Sequence, residues 1–414
     1  MLTRGRVIAG RYGLTAGKMD AALAALMDIL GQYAGSVTFP VTAAALAANP
    51  AAARQYARPS LELAVHGLYH VDYSQLNLEQ QLDHFRRARA IFERLATPVT
   101  GFRCPYLRWN ADTLTALKAT GFVYDSSQAL AWDVVGSLTT DAYRRVLDFY
   151  RAESASVVPA RPTWSDTLIR IPYGLPDDEA LIDRLHITRG EVMADIWLAM
   201  LERAYQTGEL FTLGLHPERA PLCQAALRAV LIKARALSPP VWIARLDEVA
   251  AWFRALGEAT LDMHAEGEGA YQVNIAAPER ATVLVRSAEV LAATQPWAAE
   301  YESVGSRAFI LRSDKRPLIG LAPGTPAALA RFLRHEGYFV ETSAEAQAYA
   351  VYLSRRSFGP EDERPLLAEL DRGPGPVVRL SNWPDGARCA LAITGDVDAF
   401  TIWDYARRIL NETN

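Results

Sequence analysis

The chain has 414 residues, half of them hydrophobic and 22% charged, with 43 Lys and Arg against 47 Asp and Glu and a formal net charge of −4 at pH 7. That is material for two or three globular domains, and its slightly acidic balance argues against nucleic acid or an anionic membrane surface as the main partner. Its three cysteines, Cys104, Cys223 and Cys389, are odd in number and far apart, so no disulfide framework is expected. No apolar run is long enough for a membrane span, and Met1-Leu-Thr-Arg-Gly-Arg6 has no apolar stretch behind its charges, so the expectation is a cytoplasmic protein.

In chain order, residues 7–11 read as a strand, and apolar residues at helical spacing (Met19, Leu23, Leu26, Met27, Leu30) predict a helix over 16–34. Residues 36–42 read as a buried strand, 43–58 as a helix and Leu61–Val65 as a second buried strand running into His66-Gly-Leu-Tyr-His70. A long helix over 76–96 stops before Pro98. Val99–Arg103 is a strand leading to Cys104-Pro105-Tyr106, 111–120 a helix, and Phe122–Tyr124 a strand before Asp125. Helices near 188–206, 220–236 and 246–255 alternate with strands at 210–216 and 240–243. Strand–helix alternation at this spacing predicts a mostly parallel sheet with crossover helices, and a closed or nearly closed barrel places the loops after the strands on one rim.

Around Leu256 the texture changes. Residues 270–320 are β-rich, helices are predicted near 325–336, 344–356 and 363–371, and Val377–Thr394 is strand-like up to Gly395-Asp396-Val397-Asp398. The division is 1–260, a barrel; 261–375, an accessory β-rich then helical region; and 376–414, a C-terminal segment.

The chemistry-bearing residues gather at strand ends. Two His four apart share one face if the chain turns helically after the strand, and neutral imidazoles so placed hold a divalent metal. Asp396 and Asp398 alternate on an extended segment and so aim the same way. One can then ligate a metal while the other stays free as a base. The same Asp-x-Asp also serves glycosyltransferases, which hold a divalent ion against a sugar nucleotide with it. Arg103, at another strand end, is placed to hold a carboxylate ionised, and Pro105 stiffens the turn that presents the Tyr106 amide. His216 closes Leu213-Gly-Leu-His216 and suits a general acid near neutral pH. Trp109, Trp132 and Trp164 fall in rim loops, where an aromatic ring can floor a sugar subsite. Asp177 and Asp178 are open to two readings, substrate contact or helix N-cap.

Together these motifs resemble the polysaccharide deacetylases, carbohydrate esterase family 4, over about residues 1–256. His66–His70 matches the family's HxxxH, Arg103–Tyr106 its RxPY and Leu213–His216 its LxLH. The Asp-Trp motif matches less cleanly, leaving Asp125 or Asp133 as partner of His216. The family's Asp motif opens the barrel, whereas here its best match is Asp396-Val-Asp398 near the C-terminus. The resemblance therefore implies an α/β fold, a distorted (β/α)7 deacetylase-type barrel, circularly permuted, with an inserted mixed β/α domain. Alternatively, the last strand completes a neighbour's barrel in a homo-oligomer.

The resemblance also implies a metal-dependent hydrolase removing N- or O-linked acetyl groups from a carbohydrate. In it His66, His70 and Asp398 bind a divalent metal, Zn²⁺ first and Co²⁺ or Ni²⁺ as alternatives. Asp396 is the base toward water and His216 the acid. Arg103 holds Asp396, Asp125 partners His216, and the Tyr106 N–H donates to the oxyanion. Trp132, Trp109 and Tyr106 contact the acetylated carbohydrate. The alternatives are a hydrolase of linear amides or cyclic imides on the same barrel, and a barrel that binds glycan without chemistry.

Overall fold

Short, wholly apolar strands alternating with amphipathic helices pair in parallel, because each helix must cover a sheet face before the next strand begins. The computed structural model, which describes residues 10–56 and 58–411, bears this out. The strands are β1 (Val37–Val41), β2 (Leu61–Val65), β3 (Gly101–Phe102), β4 (Tyr124–Asp125), β5 (Leu168–Arg170), β6 (Tyr173–Leu175), β7 (Leu210–Leu215) and β8 (Cys389–Gly395). Their spatial order is β6-β7-β8-β1-β2-β3-β4-β5, with every neighbour parallel. Only Ile171 and Pro172 separate β5 from β6, yet these two lie at opposite ends of that order. Three residue steps reach at most roughly 11 Å, so the sheet must curl until its ends nearly meet. The result is a distorted (β/α) barrel.

The helices that cover it are α1 (Gly17–Gln32), α2 (Leu78–Arg94), α3 (Ala111–Ala119), α4 (Asp141–Tyr150), α5 (Gly190–Thr207), α6 (Ala220–Ala236) and α7 (Leu246–Gly257). Asn77 starts α2 and Asn110 starts α3, each accepting the amide of the third helical residue, a cap worth about 1 kcal/mol. The helix expected over 43–58 is two short ones, Ala43–Ala48 and Pro50–Gln55, because Asn49 leaves helical geometry (φ −128, ψ 61) ahead of Pro50. The strand expected at 7–11 falls largely outside the described residues, and Gly10 and Arg11 are helical.

β8 is the central strand. Every residue of Cys389-Ala-Leu-Ala-Ile-Thr-Gly395 is buried, as a strand covered on both faces requires. β7 pairs with its whole length, from Leu210↔Ala390 to Leu215↔Gly395. On the other side Val241–Ile243 takes its first half and β1 its second. Val377–Leu380 belongs elsewhere, pairing antiparallel with Val283–Arg286 in the accessory region. The strand-like run expected over 377–394 is thus two strands that change sheets across residues 381–388.

The accessory region carries two antiparallel four-stranded sheets and a parallel three-stranded one. One apolar core runs from α7 (Trp252, Phe253) into these sheets (Met263, Val273, Val283, Leu318), so the two regions share packing. The helix expected over 344–356 is not formed. A turn at Ala346–Ala348 leads into the strand Tyr349–Leu353, where Tyr349 and Tyr352 crowd onto Gly320 of the neighbouring strand. Aromatic and β-branched residues prefer that pleated surface to a helix. Among the described residues no helix is long and apolar enough to cross a membrane.

Inside the barrel Gly101 lies flat against the Tyr124 ring, and an added Cβ would overlap it. Tyr124 in turn donates to Glu62 at 2.8 Å. Gly101→Ala is expected to destabilise the protein by roughly 1–3 kcal/mol through overpacking, as read from the midpoint of urea unfolding.

Candidate active site

Alternation along an extended chain sets up the centre of the site. Beyond β8, the Val397 amide donates to Pro40 O (2.8 Å) and Val397 O accepts from Thr42 N (3.2 Å), while the Asp396 amide donates to Leu215 O (3.0 Å). Val397 is thereby buried, and Asp396 and Asp398 point together into the barrel mouth.

At the end of β2, His66 and His70 meet them, though not by the helical turn expected. Gly67 takes a left-handed conformation (φ 77) and the chain bends through Leu68–His70, bringing the rings to 5.2 Å. Asp398 Oδ1 lies 3.5 Å from His66 Nε2 and 3.3 Å from His70 Nε2. The three donor atoms lie within 4.8 Å of one another. His66 Nδ1 is 3.0 Å from the carbonyl of Arg103, which requires the proton on Nδ1 and leaves the Nε2 lone pair facing Asp398. Two imidazoles and a carboxylate with one ring oriented this way are the donor set of a catalytic divalent ion with open positions.

Arg103 is fully buried, and each of its three guanidinium nitrogens has a partner. Nη1 donates to Asp396 Oδ1 (2.7 Å) and Thr394 Oγ1 (2.9 Å), Nε to Ser126 O (3.0 Å) and Nη2 to Ser126 Oγ (3.0 Å). Its plane also sits 4.6 Å from the Tyr173 ring centroid. Burial alone would raise the Asp396 pKa, but Arg103, helped by His66 and His216, outweighs it and holds the carboxyl below its ordinary 3.8. The turn after Arg103 is tight: Tyr106 and Leu107 both take left-handed backbone (φ 57 and 52), and the Tyr106 ring stands edge-on to His70 at 4.4 Å.

His216 faces the same cleft, and here the structure corrects the sequence reading. Its partner is Asp178, not Asp125 or Asp133. Asp178 Oδ1 lies 2.7 Å from His216 Nδ1, and Oδ2 accepts the His216 amide at 2.6 Å. Burial disfavours the charged ring, but Asp178 overrides it and the His216 pKa stands well above 6.5. Asp125 has a different task. It accepts from Ser127 Oγ, whose oxygen takes the Cys104 amide at 2.8 Å, so it anchors the turn that carries Tyr106.

Trp132 is the second correction: it is only 2% exposed and packs against Phe211, out of reach of any substrate. Trp109 lies under the Arg170 guanidinium at 3.9 Å and does not line the cleft. The signal for Asp178 was present. Like Asp396, it follows a buried strand, β6, through Pro176, but a cap role explained the acidic pair equally well. Asp177 does cap, accepting the Ala180 amide at 2.8 Å. The cleft holds about 860 Å³, within the roughly 300–1,000 Å³ usual for small-ligand sites.

The family model for polysaccharide deacetylases matches residues 15–124. That stretch carries β1 to β4 with His66, His70, Arg103 and Tyr106, so the first part of the barrel is similar to that family. A Gibberella zeae relative, the peptidoglycan deacetylase-like protein FGM2, is 28% identical over 168 residues, 40% of this chain and 47% of its own length. The chain thus matches less than half of that deacetylase-like relative. Among solved structures, a Mycobacterium smegmatis protein assigned to the polysaccharide deacetylases is 22% identical, with a TM-score of 0.46 over 57% of this chain and 78% of that one. Puue allantoinase is 18% identical, with a TM-score of 0.45 over 56% and 71%. The family-model match ends at Tyr124, so His216, Asp396 and Asp398 reach the site from segments beyond it.

The His216–Asp178 pair makes a pH-dependent prediction. A ring whose folded pKa is raised stabilises the fold fully below its ordinary 6.5, and that contribution is lost as pH climbs through the raised value. Asp178→Asn removes the opposing term and leaves burial. The His216 ring, followed by NMR titration, is expected to titrate above 6.5 in the parent and to fall below it in the variant. An unchanged midpoint would rule out Asp178 as the cause.

Proposed function

We propose that this chain is a metal-dependent hydrolase that removes N- or O-linked acetyl groups from a carbohydrate. The observation that carries the reading is the convergence of His66, His70 and Asp398 on one point, with Asp396 and His216 on the same cleft. His66, His70 and Asp398 are the residues that would hold the ion. Zn²⁺ is proposed, because two imidazoles and one carboxylate suit it and leave positions open, although Co²⁺ and Ni²⁺ accept the same donors. When bound, a divalent ion supplies Lewis acidity and lowers the pKa of a coordinated water.

The protein's own groups divide the remaining work. Arg103 occupies Asp396 Oδ1, so Asp396 Oδ2 is the atom that takes a proton from the attacking water. A base held this firmly ionised is weak, so its task would be eased by the acidity that an ion held by His66, His70 and Asp398 would lend to water. A C–O bond forms at the acetyl carbonyl, and the Tyr106 amide is assigned to the oxyanion, a donor worth roughly 2.7–4 kcal/mol. As the C–N or C–O bond of the leaving sugar breaks, His216 Nε2 protonates the departing nitrogen or oxygen. Asp178 fixes the opposite ring nitrogen and keeps the imidazole charged until then. Acetate and the free amine or hydroxyl are the products. Asp125 is a positioning residue in this scheme.

The motif order along the chain is read as a circular permutation. The parallel seat of β8 between β7 and β1 supports it, since the Asp motif then arrives where a first barrel strand lies.

Asp396→Asn is expected to lower kcat by about 10²–10⁴-fold in acetate release while zinc content by elemental analysis stays at the parental level. His70→Ala is expected to lose the zinc itself. Full turnover in Asp396→Asn removes the assigned base. Turnover of cyclic imides with no acetate release from any acetylated sugar would replace the substrate class.

A further inference from the structure

Helix α4 forms one wall of the cleft. Ala142, Arg145, Val146 and Phe149 follow the spacing i, i+3, i+4, i+7, and all four line it. Thr140 fixes this wall, accepting the Tyr143 amide at 3.1 Å and donating to Arg184 O at 2.7 Å. Arg184, on the adjoining turn, lines the cleft as well.

The cations of the cleft differ in how they are balanced. Arg219 and Arg11 share Asp183 at 2.8 and 3.3 Å, and Arg184 pairs with Glu179 at 3.2 Å. Arg144, the residue before Arg145, turns away to Asp141 at 2.6 Å. Arg145 is different: it is exposed, it lines the cleft, and among the described residues no carboxylate or hydrogen-bond acceptor meets it. One turn further on, Phe149 is 44% exposed. Its ring meets Tyr106 edge-on at 6.5 Å, Tyr106 meets the His70 ring at 4.4 Å, and the Arg108 guanidinium braces Phe149 at 4.9 Å. An aromatic floor therefore leads from the proposed metal centre out to Phe149, and an unbalanced guanidinium stands one helical turn along that wall. An exposed aromatic face suits a sugar ring, and a guanidinium fork suits an oxyanion.

We propose that this wall makes the substrate an anionic saccharide, with Arg145 binding a carboxylate or phosphate on the unit next to the one that loses its acetyl group, and Phe149 lying under that unit's ring. The proposal rests on the deacetylase reading for the identity of the reacting unit. Arg145 acts on binding and leaves the bond-breaking groups untouched, so its effect belongs in KM.

The test compares acetylated oligosaccharides of equal length, one neutral, one with a uronate and one with a phosphate beside the acetylated unit. Acetate release by the zinc-loaded protein is measured alongside calorimetric binding to the metal-free protein. The parent is expected to show a KM about tenfold lower for a charged substrate, a difference of ~1.4 kcal/mol, and the better of the two charged arms identifies the oxyanion. Arg145→Gln is expected to raise that KM about tenfold, with kcat retained, and to close the gap to the neutral substrate. Arg145→Lys restores most of the gap, and added salt narrows it in the parent. Equal KM and equal binding across the three substrates overturn the proposal, as does a gap that survives in Arg145→Gln. Charge-selective binding that needs Arg145, without acetate release from any substrate, upholds the anion site and overturns the deacetylase reading instead.

Discussion

The contact on which the site depends is the buried ion pair between Arg103 and Asp396, 2.7 Å long and joining residues 293 apart in sequence. Taking two charges out of water is expensive, and the cost is recovered only when every donor is used. Arg103 comes close to that condition: four of its five N–H donors reach Asp396, Thr394 and the carbonyl and hydroxyl oxygens of Ser126. Its backbone does a second task, since the Arg103 carbonyl sets the tautomer of His66. One residue thus aims the proposed base and one of the proposed ligands together. It does so from the end of β3, whose backbone is locked to β2 by the Arg103 amide on Val65 O at 2.9 Å.

Asp396 and His216, the proposed base and acid, are pushed in opposite directions by the same kind of force. Both are buried, and burial disfavours charge on each. Arg103 overrides it at Asp396 and Asp178 overrides it at His216, so the carboxyl stays ionised and the imidazole stays protonated. In the proposed mechanism base and acid are therefore set before substrate arrives, which keeps reorganisation during reaction small. Asp177, beside Asp178, forms no ion pair among the described residues, although His216 pulls its pKa down in part. Burial and its acidic neighbour lift its pKa to about 7, and it serves the backbone as a cap.

Much of the barrel was legible from local pattern. The 3.6-residue apolar spacing of α1 and α2 and the apolar runs of β1, β2 and β7 placed these elements within a few residues. The rule that polar residues at parallel-strand ends share one rim placed His66, His70, Arg103, His216, Asp396 and Asp398 together. Failures came where local pattern was ambiguous. Trp132 resembled a rim aromatic because it stands in a loop-like stretch, yet Ala129–Ala131 is a strand beside β6 that draws the ring into the core. The segment 344–356 has helix-forming Ala and Glu at its start, and aromatic packing on Gly320 decides for strand.

By itself the sequence determined which side chains stand at strand ends and which way alternate residues of Asp396-Val-Asp398 face, because periods of two and of 3.6 are local properties of the backbone. Only the tertiary structure decided that β8 lies between β7 and β1, that Asp178 and not Asp125 meets His216, and that among the described residues no counter-charge meets Arg145. Those are matters of which strands are neighbours and which charges share a desolvated space. Such energies arise only once segments far apart in the chain have been brought within a few ångströms of each other.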